Sequence, residues 1–413
     1  MLIRALWLVV VRSLQQHRVA GWITTFSIAL ACALLLTISS LQFQASRAFL
    51  GQSGGFDAVL GARGSPLQLV LSTLYYMESS PGNLAWSSYL ALLPDPQVAA
   101  AVPVALGDNY LGFRIVGTTP EFFSAWGQGM EFSRGKPFSA DKAQAVVGSW
   151  AAQKTGLGLG DSFHPYHGLD YDATAQHAES YEVVGILKPT NCPQDRAIWI
   201  PLEGVYRMSG HVLRGEGKEF AAQPGQPIPS THKELSGVLL KFKSPQIGMH
   251  FDQLINRQGK VATLAWPISR VIYDLFGKLG WMIQLLQSMT LLVLLVAAAS
   301  VTASLCNTLH ERRREFAILR ALGAGRGFVS GVVLVESTWL SALGAFWGVI
   351  IHFVFMVLVS QWLRARTGIQ FEVVAFHSGL FLSPLLVLSL GLISGLLPML
   401  MVYRGSVAPE LTG

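Results

Sequence analysis

The chain has 413 residues, of which 51% are hydrophobic and only 13% charged, and its formal net charge is +6. That balance excludes an ordinary soluble protein, because the surplus apolar side chains must meet lipid. From Arg47 to Lys278 acidic and basic residues are equal in number, so the excess positive charge flanks the apolar segments; it reads as membrane topology and argues against nucleic-acid binding.

Residues 1–18 form an N-terminal segment carrying Arg4, Arg12 and Arg18. The apolar run at 19–43 holds only uncharged polar residues such as Thr24, Thr25, Ser27 and Ser39, and at about 1.5 Å per residue it is long enough to cross a bilayer. A signal peptide has an apolar core of only about 7–15 residues and an A-x-A type of cleavage site after it, which is not evident following this run, so this first helix is expected to stay attached.

Residues 44–280 have ordinary globular composition and predict an α+β domain outside the cytoplasm, with stalk helices. Strand-like runs occur at 114–117, 181–187, 197–200 and 238–242, and helices are predicted at 66–77 and 141–154. The stretch 215–229, with Pro224, Gly225, Pro227 and Pro229, predicts an irregular loop. Val271, Ile272, Leu275, Phe276, Leu279 and Ile283 recur at helical spacing, which extends the second span beyond the membrane surface as a stalk. Cys192 is the domain's one cysteine, Cys32 and Cys306 lying in or at the end of spans, so no disulfide is available within it; a small buried residue is expected.

One loop of this domain gathers His164, His167, Asp170, Asp172, His177 and Glu179. Imidazole and carboxylate donors at that density suit zinc or a related divalent ion, with His164, His167 and His177 as the candidate ligands. The spacing fits no tight zinc signature, and polar loops often carry histidines, so a plain surface loop stays open as the other reading. Catalysis has no foothold, since no H-E-x-x-H helix occurs and the remaining Ser, His and Asp residues are dispersed.

Three further spans are predicted at 281–305, 329–363 and 379–403. They are joined by a segment at 306–328 and a short outer loop at 364–378, and a tail follows at 404–413. Arg312, Arg313, Arg314, Arg320 and Arg326 lie between the second and third spans, and Arg404 follows the fourth. The positive-inside bias therefore places both termini and 306–328 in the cytoplasm, and the fold class is an α-helical membrane protein of four transmembrane helices with a large α+β domain between the first and second. Glu336 sits inside the third span, where a carboxylate needs a partner; an arginine of the 306–328 segment is the expected one, with a proton or ion pathway as the alternative. His352 in the same span is expected to hydrogen-bond a neighbouring helix, and Ser341, Gly344 and Gly348 predict close helix packing.

The segment after the second span reads Glu311, Arg312, Arg313, Arg314, Glu315, Phe316, Ala317, Ile318, Leu319, Arg320, Ala321, Leu322, Gly323. Its charges interleave with a Phe316, Leu319, Leu322 stripe and it ends on glycine, which predicts a short amphipathic helix along the membrane face suited to docking another protein. The run resembles, position for position, the E-R-[RKT]-x-E-[IF]-[AG]-x-L-[RK]-A-[LI]-G coupling region of the FtsX-like and MacB-like ABC permeases, the mechanotransmitting type. Glu336, the fourth span's Gly395 to Pro398 ending and the order of elements along the chain resemble the same family.

That resemblance implies a homodimer in a bacterial inner membrane, bound to a cytoplasmic ABC ATPase through Glu311, Arg312, Arg313, Arg314, Glu315, Phe316, Leu319, Arg320 and Gly323. It also implies a MacB-like periplasmic core domain of two lobes, the region around 146–237 being the more variable. The sequence has no G-x-x-x-x-G-K-[ST] run, so this subunit is expected not to be an enzyme and to bind no cofactor directly, with ATP used by the partner and zinc as the candidate ligand of the His-rich loop. The expected function is export or extraction of an envelope substrate such as a lipoprotein, lipid or amphiphile. The alternatives are a signalling permease that activates a periplasmic partner such as a cell-wall hydrolase, and a metal-handling envelope system; a periplasmic or lipoprotein partner fits each.

Overall fold

The computed structural model describes residues 2–16, 18–50, 54–127, 130–215, 219–222, 226–321, 323–367 and 370–404. In chain order the helices are α1 (Leu2–Gln16), α2 (Arg18–Leu50), α3 (Pro66–Thr73), α4 (Trp86–Leu90), α5 (Glu121–Ala125), α6 (Ser149–Thr155), α7 (Leu202–Arg207), α8 (Pro245–Asp252), α9 (Ile268–Glu311), α10 (Arg313–Ala321), α11 (Arg326–Thr367) and α12 (Ser378–Arg404). The strands are β1 (Ala58–Ala62), β2 (Leu84–Ala85), β3 (Val98–Tyr110), β4 (Phe113–Thr118), β5 (Phe132–Gly135), β6 (Gln144–Val147), β7 (Ser162–Phe163), β8 (Tyr166–His167), β9 (Tyr181–Leu187), β10 (Ile198–Pro201), β11 (Glu234–Leu235), β12 (Gly237–Phe242) and β13 (Ala262–Ala265). The chain divides into two compact units: Met1–Ala45, Leu279–Ser360 and Glu372–Gly413 form one, and Ser46–Lys278 with Gln361–Phe371 the other.

The second unit is built on one mixed sheet in the order β13-β1-β12-β3-β4-β10-β6-β9-β5, with β7 paired to β9 and β8 to β3. The β4–β10 and β6–β9 pairs are parallel and the rest antiparallel. Side chains alternate along each strand, so Ala58, Leu60, Ala145, Val147, Ile198 and Ile200 enter one core while Val59, Val146 and Trp199 enter the other. Both faces are buried, which explains why the inner strands read as continuous apolar runs rather than as alternating ones.

That burial overturns one expected element. Residues 141–154 are not a single helix: Gln144–Val147 is a strand between β9 and β10, and α6 begins only at Ser149. Val146 and Val147 are β-branched and fully buried on opposite faces, an environment that favours a strand. Gly148 lets the chain leave the sheet, since a Cβ there would lie 2.6 Å from the Asp195 carbonyl oxygen. The helix expected at 66–77 stops at Thr73, and Tyr76 adopts φ +56°. Phe220 of the expected irregular loop forms an isolated bridge with Leu213, which precedes that loop, while Pro224 and Gly225 lie outside the described residues. Cys192 is buried and unpaired in a disulfide, and burial pushes its thiol up to about 12.

Among the described residues, Arg18–Phe49, Ile268–Glu311, Arg326–Arg366 and Ser378–Met401 are four helices long and apolar enough to cross a membrane, the greater part of each lying in the first unit. The stripe beginning at Val271 belongs to a helix that runs unbroken from Ile268 to Glu311. The first residues, read from the sequence only as a segment, include a separate helix, α1, whose Val10 and Ser13 are buried. Ile28, Cys32 and Leu36 of α2 pack with Leu294, Ala297 and Val301 of α9, Val333 and Ala345 of α11, and Val387 of α12. Small residues permit the close approaches: a Cβ at Gly344 would lie 2.5 Å from Ile28 Cγ2, one at Gly348 2.6 Å from Cys32 Cβ, and one at Gly391 2.3 Å from Ser341 Cβ. His352 is buried and hydrogen-bonds Thr37 Oγ1 at 3.0 Å and Ser40 Oγ at 3.4 Å, both on α2.

Candidate coupling segment and metal centre

The coupling run folds as the end of α9, a break at Arg312, and the nine-residue α10. Asn307 Nδ2 donates to Glu311 Oε1 at 2.9 Å on the last turn of α9. Arg312 turns inward: it is 8% exposed, donates from Nε to Glu315 Oε2 at 2.9 Å and places its guanidinium 5.0 Å from the centre of the Phe316 ring. Phe316 and Ala317 are buried, Leu319 and Arg320 half-buried, and Glu311, Arg314, Glu315 and Ile318 exposed. Gly323 ends the segment at φ +100°, a conformation glycine adopts without penalty, and its N–H donates to the Arg320 carbonyl at 3.1 Å. The Arg313 side chain, Leu322 and the tail after Arg404 lie outside the described residues.

The structure thus divides the sequence motif into an inward set and an outward set. Arg312 and Phe316 brace the turn between α9 and α10, whereas Arg314 and Ile318, four residues apart, share an exposed face of α10. Buried Glu336 accepts a 3.0 Å hydrogen bond from Ser13 Oγ of α1, so the helix that sequence reading overlooked contributes to holding this carboxylate.

In the sheet-based unit, β8 pairs with β3 so that His167 lies directly opposite Asp108. Gly107 is bulged out of the β3–β4 register just before Asp108, and bulges of this kind re-aim the neighbouring side chain. The chain then returns: the His167 N–H donates to the Ala175 carbonyl at 2.7 Å and the His177 N–H to the Pro165 carbonyl at 2.8 Å, which sets the two histidines side by side. His211 arrives from beyond α7. One ligand atom from each of Asp108, His167, His177 and His211 lies within 4.8 Å of those from the other three. From Asp108 Oδ1 the distances are 3.1 Å to His211, 3.3 Å to His177 and 3.6 Å to His167, and His167 and His211 are 3.2 Å apart.

Backbone carbonyls orient two of the rings. His177 Nδ1 is 2.8 Å from the Ser209 carbonyl oxygen and His211 Nδ1 is 2.7 Å from that of Val205. A carbonyl only accepts, so both Nδ1 atoms carry the proton and, in a neutral ring, Nε2 turns a lone pair toward Asp108. Glu179 supports this from behind, accepting 3.1 Å hydrogen bonds from the Ser209 N–H and hydroxyl. Burial works to raise the pKa of the Asp108 carboxyl, but hydrogen bonds from His177 and His211 and their charge outweigh it and hold it below the ordinary value. Burial likewise works to lower that of His211, and Asp108 raises it above the ordinary value.

Of the histidines singled out from sequence, His167 and His177 are brought together and His164 is not; its Nδ1 lies 3.0 Å from the Glu179 carbonyl oxygen. Asp172 is occupied in a turn, accepting from the Thr174 N–H at 2.9 Å and hydroxyl at 2.7 Å. Asp108 and His211 were invisible to local reading because each lies far along the chain from the loop. The run from Gly51 to Gly55 has the G-x-S-x-G spacing, but it follows helix α2 rather than a strand, and 51–53 lie outside the described residues, so it lacks the setting of a hydrolase nucleophile.

Comparison with solved structures finds a similarity to the periplasmic region of MacB from Actinobacillus actinomycetemcomitans, with TM-score 0.35 and 12% identity over 55% of this chain and 94% of that one. The extracellular domain of the noncanonic ABC-type transporter YknZ from Gram-positive bacteria is similar with TM-score 0.32 and 13% identity, over 50% of this chain and 99% of that one. The family model described as FtsX-like permease C-terminal matches residues 288–407, a stretch that contains the coupling run, Glu336 and most of the last three spans. By that match residues 288–407 are similar to the C-terminal part of the FtsX-like permeases.

Proposed function

We propose that this chain is the permease subunit of an ABC system in a bacterial inner membrane. A separate cytoplasmic ATPase engages the α10 segment, and nucleotide-driven movement passes through the long α9 and α11 helices to the sheet-based domain on the periplasmic side. The cargo class is an amphiphile of the envelope, a lipid or lipoprotein, exported or extracted by a homodimer, with both described ends of the helical unit on the cytoplasmic side. The FtsX-like match over 288–407, falling on the motif that leaves Arg314 and Ile318 exposed, is the observation that carries this reading. The positive residues around α10 and before α2 support the orientation. ATP hydrolysis resides in the partner, and this subunit performs no covalent chemistry.

Affinity purification of the full-length protein from its native membrane, followed by mass spectrometry, tests the assignment. Recovery of an ATPase with a Walker motif, whose hydrolysis rises when the permease is present, is the expected result. Recovery of the permease without such a partner in mild detergent, together with no stimulation on reconstitution, overturns it.

A further inference from the structure

We infer that Asp108, His167, His177 and His211 bind one divalent transition-metal ion of the zinc class. Without a cation at its centre the group is poorly satisfied. Two imidazoles, each with its proton committed to a backbone carbonyl, aim their second nitrogen at a single carboxylate oxygen, and a third imidazole approaches the same point. Lone pairs facing a buried carboxylate repel it unless a proton or a metal ion lies between them, and one metal ion meets all three rings at once. Asp108 is 1% exposed, and although three rings crowd Oδ1, its Oδ2 is buried with no hydrogen-bond partner among the described residues.

The spacing fits a metal. Zinc–nitrogen bonds of about 2.0–2.1 Å in a tetrahedron separate the ligand atoms by about 3.3 Å. Four of the edges here measure 3.1, 3.2, 3.3 and 3.6 Å, and the remaining two lie within 4.8 Å. Three nitrogens and one oxygen suit zinc, cobalt, nickel or copper, whereas magnesium and calcium favour oxygen alone. The carbonyls on His177 and His211 and the Glu179–Ser209 contacts are outer-shell supports of the kind that fix ligand rings at metal sites. Three ligands are held inside the fold, while the His167 side chain is 57% exposed and provides the entry side.

Four protein ligands close a tetrahedral shell, so the ion serves a structural or sensing role rather than activating water. It fastens the hairpin carrying His167 and His177 and the loop carrying His211 onto strand β3. This inference is independent of the ATPase-coupled reading, because it concerns the sheet-based unit alone.

The experiment uses the full-length protein in detergent, purified on a tag without histidines, stripped with chelator and titrated with zinc by calorimetry and with cobalt by visible absorption. The expected result is about one equivalent per chain at micromolar affinity or tighter and intense tetrahedral cobalt bands. Metal should also raise the unfolding temperature. His211→Ala and Asp108→Asn should each weaken binding at least tenfold, as should the exposed His167→Ala, which leaves the fold intact, while His164→Ala should bind as the parent does. Absence of binding at micromolar zinc, or undiminished binding and cobalt spectrum in His167→Ala and His211→Ala, would show a proton-shared histidine cluster or a site elsewhere and overturn the inference.

Discussion

Replacing Arg314 with Glu and Ile318 with Asp together is expected to lower recovery of the partner ATPase, and its stimulated hydrolysis, by tenfold or more. The two side chains are exposed and one helical turn apart on α10, so they form one face. Apolar anchors and arginines at the centre of protein interfaces carry a disproportionate share of binding, and a reversed charge set against a complementary surface adds repulsion. A tenfold loss corresponds to about 1.4 kcal/mol, a modest demand on two such residues. Arg312 and Phe316 make a poor first test despite matching the motif as well, because they brace the α9–α10 turn and their loss would confuse misfolding with lost docking. Copurification and ATPase rate with an unchanged elution profile check the prediction; equal recovery and equal stimulation would remove α10 as the docking face.

The second large effect is expected in the helical unit. Leucine at both Gly344 and Gly348 should abolish most of the monodisperse protein recovered in detergent and lower the unfolding temperature of the remainder. A Cβ at Gly348 already meets the Ala29 carbonyl oxygen at 2.8 Å, a backbone atom of α2 that cannot swing aside. Overpacking costs about 1–3 kcal/mol at each site, a large part of a margin of about 5–15 kcal/mol. Gly277→Leu is the control, since nothing lies within 4 Å of a Cβ there and the substitution should be tolerated. If the double variant and the control unfold alike, α2 and α11 are not held by close packing at these glycines.

The sequence by itself determined the four long apolar helices, the continuation of the Val271 stripe into the second span and the short helix α10 with its terminal glycine. Each of these is a local property, carried by uninterrupted hydropathy, a 3.6-residue period or a run of adjacent residues. It also marked the loop in which His167 and His177 lie. The tertiary structure decided what depends on residues distant in the chain. Strand β6 exists because two cores cover both faces of Val146 and Val147, an environment that a short apolar run followed by a helix does not reveal. The inward turn of Arg312 and outward display of Arg314 and Ile318 follow from the break between α9 and α10, where simple helical periodicity is lost. The Asp108 cluster needed the most: Asp108 and His211 reach His167 and His177 only because β8 docks on β3 and α7 returns its chain to the same edge, a convergence that no local spacing encodes.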